Sequence, residues 1–368
     1  MPAKSSPLSN NFYNKREYLK ELVKRFDAVE SSGRILLMTM SFDPDEPEIM
    51  AIIDSLERAA KRGVRVHFNI DARSFLHANG KPGPDWRHPS RFAPLIFNDE
   101  LPTTLQTPYA LKKACLDRLA RYPNVTIAIT NHPHAAFRIP FAGRSHIKLA
   151  IIDDYYIISG CNLDSPSYID LGIGFIDTQT SDTLYQLFTG VIERTYVKEA
   201  LHATDQTIQI DSTARILIDA GVRNQSLILD EALKLIDDAR EWLTITCQYF
   251  PNAITADHLH AALQRGVKVK VLFTYLWDYG PVDGAIQLVS QFIERMRLPA
   301  GLFAYELSPG THKIHAKLIA SDAGCMVGSH NYLNAGVRFG TAEIAYHSTD
   351  GTLARHMSQK IQDQLIGG

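Results

Sequence analysis

Two stretches of the chain repeat one polar spacing inside apolar runs. "GRSHIKLAIIDDYYIISGCN" runs from Gly143 to Asn162, and "HKIHAKLIASDAGCMVGSHN" runs from His312 to Asn331. His146, Lys148 and Asp153 follow H-x-K-x-x-x-x-D; His315, Lys317 and Asp322 follow it again. Asn162 and Asn331 each come nine residues after the aspartate. On an extended chain, residues two apart share a face. His146 therefore stands beside Lys148, and His315 beside Lys317. If these faces meet, two imidazoles and two ammonium groups converge. That set suits a phosphodiester, whose transition state concentrates negative charge on the non-bridging oxygens. One imidazole can attack phosphorus while the other protonates the leaving oxygen. Such chemistry requires no metal and no cofactor. A single H-x-K is common by chance; two copies at the same point of a repeated plan are not.

Asp153 lies an odd number of residues from His146, and Asp322 likewise from His315. Strand parity turns both aspartates away from the histidines, so they are expected to brace the structure in support of the motif. A histidine nucleophile needs an acceptor on its other ring nitrogen to fix the tautomer. Asp170 in "SYIDLGIGF" and Glu343 in "GTAEIAYHS" are carboxylates among residues that otherwise read as buried, and they are the candidates. His312 precedes His315 at a ligand-like spacing, but no partnering cluster accompanies it, so it reads as a loop residue and no metal site is expected.

The elements that must position these residues repeat as well. "RILLMTMSFDPDEPEIMAIIDSLERAAKRGVRVHFNID" and "WLTITCQYFPNAITADHLHAALQRGVKVKVLFTY" share one order: apolar strand, proline-containing break, amphipathic helix, Arg-Gly and V-x-V strand. Ile52, Ile53, Leu56, Ala59 and Ala60 keep helical spacing, as do Leu259, Ala262 and Leu263. Gly63 and Gly266 stand where a helix C-terminal cap belongs. Another helix, a strand, the H-x-K segment, a short strand and a closing helix follow in each half. Alternation of this kind predicts layered α/β architecture. Two similar α/β lobes are expected, residues 1–205 with the first motif and 206–368 with the second. The first half carries an aromatic- and proline-rich insertion over 72–110. That insertion and the 274–284 loop leave the C-terminal ends of V-x-V strands, where α/β sheets bind ligands, so both are expected to border the cleft mouth. A helix near Tyr13 to Glu30 turns Tyr18, Leu19, Leu22, Val23, Phe26 and Val29 to one side and bears Lys15, Arg16, Lys20, Lys24 and Arg25. Packing against the first lobe is the preferred reading, over lying on an anionic membrane.

Composition narrows the class. The chain has 368 residues, 45% hydrophobic and 21% charged, with net charge −2. Proteins that hold nucleic acid through its phosphates usually carry a basic surplus, which this chain lacks overall. Cys115, Cys161, Cys247 and Cys325 show no C-x-x-C spacing and are expected as buried free thiols. No secretory h-region or membrane-spanning run is evident. The expected location is cytoplasmic, with peripheral contact on the inner face of a membrane open to it.

The two motifs, with Gly328-Ser329-His330-Asn331 after the second, resemble the phospholipase D superfamily signature, H-x-K-x(4)-D followed by G-[SG]-x-N. "ITCQYFPNAITADHLHAALQRGVKVKVLF" and "GSHNYLNAGVRFGTAEIAY" are similar to cardiolipin synthases of that superfamily. The resemblance implies two lobes related by pseudo-twofold symmetry, helices flanking a mixed sheet in each, and an active site between them. It implies a phosphohistidine intermediate without cofactor or obligatory metal. His146, Lys148, Asn162, His315, Lys317, Ser329 and Asn331 would contact the phosphoryl group. Asp170 and Glu343 would orient the histidines, with His146 attacking and His315 protonating. Gly160-Cys161-Asn162 reads as one residue short of the pattern, with cysteine in place of the hydroxyl or glycine. The expected activity is phosphatidyl transfer or phospholipase D cleavage of a phospholipid. The alternatives are a nuclease acting on nucleic acid, with Tyr275, Trp277 and Tyr279 available to stack bases, and an inactive scaffold. Two complete motifs weigh against the scaffold. No obligatory protein partner is inferred.

Overall fold

The computed structural model describes residues 11–75, 108–131, 143–191, 196–251, 253–274, 292–294, 296 and 313–366. Two seven-stranded mixed sheets form its frame. The first is built from β1 (Asn11–Tyr13), β2 (Arg34–Thr39), β3 (Arg65–Asp71), β4 (Val125–Thr130), β5 (Leu149–Ile152), β6 (Tyr155–Ser159) and β7 (Gly172–Ile176). The second is built from β8 (Gln206–Gln209), β9 (Ala214–Ala220), β10 (Trp242–Cys247), β11 (Lys268–Phe273), β12 (Leu318–Ser321), β13 (Gly324–Gly328) and β14 (Ala342–Ser348). Their orders are β1-β7-β6-β5-β2-β3-β4 and β11-β10-β12-β13-β14-β9-β8. Six strands correspond one to one. In each lobe a parallel pair, β2 with β3 and β10 with β11, continues into an antiparallel run.

The central strands of each sheet are buried on both faces, so they read as continuous apolar runs rather than alternating ones. Leu149 and Ile151 of β5 join a core shared by the two sheets; Ala150 and Ile152 join the core beneath the outer helices. Those outer helices are α1 (Lys15–Ala28), α2 (Pro47–Lys61) and α3 (Pro108–Ala120). Closing helices α4 (Thr178–Thr189) and α5 (Val197–Ala200) follow β7. In the second lobe, α6 (Leu227–Asp238) and α7 (Ile254–Gln264) cover the outer face. A short α8 (Asn334–Phe339) precedes β14 and α9 (Gly351–Ile366) closes the lobe. Ile147 and Leu149 share the central core with Ile314, Ala316 and Leu318, so apolar packing presses the two motifs toward each other.

The two amphipathic helices end as expected, with Gly63 and Gly266 at φ +94° and +86°. All four cysteines are free and buried. The N-terminal helix packs on the first lobe through Tyr18, Leu19, Leu22 and Phe26. Lys15 departs from the surface cations it was grouped with: it is 1% exposed. Among the described residues, no helix is long and apolar enough to cross a membrane.

Candidate active site

The lobes exchange backbone hydrogen bonds at both motifs. His146 N donates to the Ala342 carbonyl (2.8 Å), and His315 N donates to the Ile169 carbonyl (2.8 Å). Each acceptor immediately precedes a candidate carboxylate. His146 Nδ1 thereby meets Glu343 Oε2 at 3.0 Å, and His315 Nδ1 meets Asp170 Oδ2 at 2.8 Å. The pairing crosses: each histidine is held by the carboxylate of the opposite lobe. Lys148 and Lys317 are fully buried, and each ammonium donates to the carbonyl of its own motif histidine. His146 lies within electrostatic reach of Lys148, Lys317 and His315, which places both motifs in one site.

The motif aspartates are braces. Asp153 occupies the turn between β5 and β6 at φ +53° and accepts from Arg34 N, where β2 begins (2.9 Å). Asp322 accepts from the backbone of Arg240, Glu241 and Trp242, where β10 begins. Both tie the hairpin's turn to the start of the neighbouring strand, as the parity argument requires.

The reading of the first motif as one residue short is corrected by the backbone. Ser159 N bonds the Lys148 carbonyl as Gly328 N bonds the Lys317 carbonyl. Gly160 N bonds the Leu171 carbonyl as Ser329 N bonds the Ile344 carbonyl. Ser159-Gly160-Cys161-Asn162 therefore superposes on Gly328-Ser329-His330-Asn331 with no gap. Gly160 takes the place of Ser329, and Cys161 takes the variable place of His330. A Cβ at Gly160 would stand 2.3 Å from Asp170 Oδ1, so glycine lets that carboxylate approach. Ser329 instead turns its hydroxyl onto Glu343 and receives Ile344 N at 3.0 Å. It sits behind the carboxylate rather than open to a ligand. The Oδ1 atoms of Asn162 and Asn331 are buried without a hydrogen-bond partner, and either amide, turned over, can offer its NH2 group to an incoming oxygen.

Five further residues support the site in ways that escaped the sequence reading: Asp71, Arg144, Thr274, Lys15 and Tyr168. Asp71, at the end of β3, accepts from Ser145 N (2.7 Å), Asn131 Nδ2 (2.8 Å) and Arg144 Nη1 (3.3 Å). It fixes the backbone leading into His146. In the second lobe Thr274, directly after β11, receives Ile314 N at 2.8 Å and donates to the Ile314 carbonyl at 3.0 Å. Asp71 could have been noticed as a polar residue closing the apolar strand "VHFNID"; Arg144 and Thr274 carry no such signal. Lys15 donates to the Asn162 carbonyl and pairs with Asp164 at 2.6 Å. The ring of Tyr168 stacks on His315 with centroids 6.0 Å apart.

Electrostatics distinguishes the two halves. Burial pushes the His146 imidazole well below its ordinary range, and Lys148, Lys317 and His315 push the same way. Burial and Lys317 carry His315 down to about 4 against the pull of Asp170. Both imidazoles are thus neutral at rest near pH 7. Burial depresses both lysines, Lys148 well below its usual range and Lys317 to about 8. Burial alone would raise the Asp170 carboxyl, yet His315, Lys317 and Lys15 outweigh it and hold it at about 2. Burial raises Glu343 against the pull of His330, Lys148 and Ser329. No group of three or more potential metal ligands occurs among the described residues. Most of the 72–110 insertion and of the 274–284 loop lies outside the described residues, as does His312. Ser74, at the start of the insertion, receives Phe42 N at 2.9 Å.

Residues 232–365 match the family model described as cardiolipin synthase, PLD-like domain. No curated protein matches the chain by sequence. Among solved structures, phosphatidylserine synthase from Haemophilus influenzae Rd KW20 is similar in fold. It has TM-score 0.65 and 13% identity, over 97% of this chain and 86% of that one. Polyphosphate kinase from Porphyromonas gingivalis is also similar, with TM-score 0.57 and 13% identity, over 97% of this chain and 50% of that one. The second lobe thus matches a phospholipase D-like domain, and the first lobe repeats its sheet order and its histidine–lysine motif.

Proposed function

We propose that the protein transfers or hydrolyses a phosphatidyl group of a phospholipid through a phosphohistidine. The observation that carries this reading is the crossed pair of histidine–carboxylate contacts beside two buried lysines. A carboxylate on Nδ1 leaves Nε2 free for chemistry. In the first step His146 Nε2 forms a bond to phosphorus, the bond from phosphorus to the leaving oxygen breaks, and His315 delivers a proton to that oxygen. In the second, an alcohol or water attacks phosphorus, gives its proton to His315, and the phosphorus–nitrogen bond breaks. Lys148 and Lys317 offset the charge that develops on the non-bridging oxygens. Asn162 and Asn331 flank the phosphoryl group, and Ser329 holds Glu343. The resting imidazoles are neutral, so His315 takes up from solvent the proton it needs as the substrate anion binds, because a neighbouring anion favours the charged ring.

Three features favour a lipid over a nucleic acid. The net charge is −2. Asp164, Asp43 and Glu46 act on Tyr168 with one sign, a negative neighbourhood that disfavours a polyanion even though Lys15 pairs with Asp164 and Lys112 with Asp43. The family model is that of cardiolipin synthase, and phosphatidylserine synthase shares the fold. Purified protein should release glycerol from labelled phosphatidylglycerol, passing the phosphatidyl group to an alcohol or to water, and leave single-stranded DNA intact. Cleavage of the DNA alone would replace this reading with the nuclease one. Turnover of neither would remove the enzymatic reading.

A further inference from the structure

We propose that Lys15 is a further cation of the phosphate site, a positioning residue sent by the N-terminal helix into the first half-site and lacking a counterpart among the described residues of the second. The inference rests on the reading of the cleft as a phosphate site. Lys15 is the first residue of α1, after the Asn14 cap, where a side chain ordinarily reaches solvent. It falls instead on the stripe formed by Tyr18, Leu19, Leu22 and Phe26, and that stripe is buried. A cation placed there is costly unless it is paired and hydrogen-bonded. Its partners are the Asn162 carbonyl and Asp164 Oδ1, on either side of Leu163. The ammonium also lies 6.0 Å from the centre of the Tyr168 ring, the ring that stacks on His315. Lys15 thus grips the turn that presents Asn162 and stands behind the His315 pair.

The corresponding first residue of α6, after the Ser226 cap, is Leu227. The turn after Asn331 is held by a neutral group, because Thr255 Oγ1 donates to the Tyr332 carbonyl at 2.8 Å. The brace is therefore common to both lobes, but the charge belongs to one. Burial would strip the Lys15 proton, yet the Asp164 and Asp170 carboxylates outweigh it, so the cation persists. Lys15 in turn helps keep Asp170 ionised, after His315 and Lys317. Asp164 acts with opposite sign on Lys148, His315 and Lys317.

A brace and a charge give different signatures when the ion pair is cut from each side. Inorganic phosphate would be titrated calorimetrically into the full chain, into Lys15→Met and into Asp164→Asn, at pH 7 and low salt. If Lys15 contributes its charge, Lys15→Met weakens phosphate binding by about tenfold and Asp164→Asn tightens it by about threefold. If it is only a brace, both variants weaken binding or neither changes it, and the proposal is overturned. Should Lys15→Met not fold, Asp164→Asn decides: no gain in affinity sinks the idea. Failure of the unmodified protein to bind phosphate overturns the phosphate-site reading along with the proposal. Binding by the unmodified protein that Lys15→Met leaves unchanged overturns the proposal alone.

Discussion

The two half-sites share a backbone and differ in charge. Around His315, a short carboxylate presses against Gly160, accepts Leu171 N at 2.9 Å and lies among His315, Lys317 and Lys15. Around His146, a longer carboxylate takes the Ser329 hydroxyl and stands opposite Asp219 in the β14–β9 register. Burial carries Asp219 up to about 7. The supports beneath the motifs diverge in the same sense. Asp71 binds Arg144 and the Ser145 backbone through its carboxylate, whereas Thr274 serves Ile314 with a neutral hydroxyl. A symmetric site would treat its two imidazoles alike. Attack and proton delivery are unlike tasks, and unlike surroundings on a common frame suit a division of labour.

The strongest way to break that comparison is to remove each histidine. His146→Asn and His315→Asn should each lower turnover by on the order of 10⁴. They should differ on a nitrophenyl phosphodiester, whose leaving group needs no proton. After an alkaline quench, mass spectrometry of the His315→Asn protein should find the remaining phosphoryl ester on His146. An adduct on His315 in the His146→Asn protein would exchange the two roles.

The carboxylates should be less damaging and unequal. Asp170→Asn removes an ionised partner of His315 and is expected to cut kcat by on the order of 10³. Glu343→Gln keeps a polar group on Ser329 and His146 and should cost on the order of tenfold. Equal losses in steady-state assays would mean that the two carboxylates are electrostatically equivalent.

Packing supplies a smaller contrast. Gly160→Ala sets a Cβ against Asp170 and should destabilise the fold by about 2 kcal/mol. Ser329→Ala loses the hydroxyl that joins Glu343 to Ile344 N and should cost about 1 kcal/mol. Chemical denaturation would rank them, and the reverse order would contradict the close approach at Gly160.

The mildest effect concerns pH. His315 and His347 are both depressed to about 4, mainly by burial. Between pH 6.5 and 4 the unfolded chain binds protons at these residues that the folded chain does not, so acidification destabilises the fold. Asp219 works in the opposite sense: its folded carboxyl is protonated from about 7 downward, while the unfolded one waits until about 4. Asp219→Asn should therefore steepen the loss of stability between pH 7 and 4. Urea midpoints at several pH values test this, and an unchanged slope would show that Asp219 does not titrate in that range.

Much of this was legible in the chain itself. The repeated spacing of His146, Lys148 and Asp153 with His315, Lys317 and Asp322 requires only local geometry, because side-chain parity on a strand is set by the backbone. The same parity sent Asp153 and Asp322 to brace duty. The repeated strand–helix–strand order is legible because apolar periodicity and capping glycines act within a few residues. The gap read into the first motif was an error of alignment. Counting from Gly160 gives one register, whereas the hydrogen bonds of Ser159 and Gly160 across the sheet give another.

What the tertiary structure decided lies at long range. That Glu343 serves His146 and Asp170 serves His315 depends on how two sheets dock, and that docking arises from apolar packing between segments far apart in the chain. Lys15 looked like one more surface cation on a helix where Arg16, Lys20 and Lys24 do face outward. Its burial depends on Asn162 and Asp164, residues about 150 positions away that only the fold brings to it. Charge asymmetry between the half-sites is likewise a property of neighbours in space. The sequence determined the candidate groups and the symmetry of the frame; the packing determined which partner each group received, because burial and contact, not residue type, set the electrostatics of a buried site.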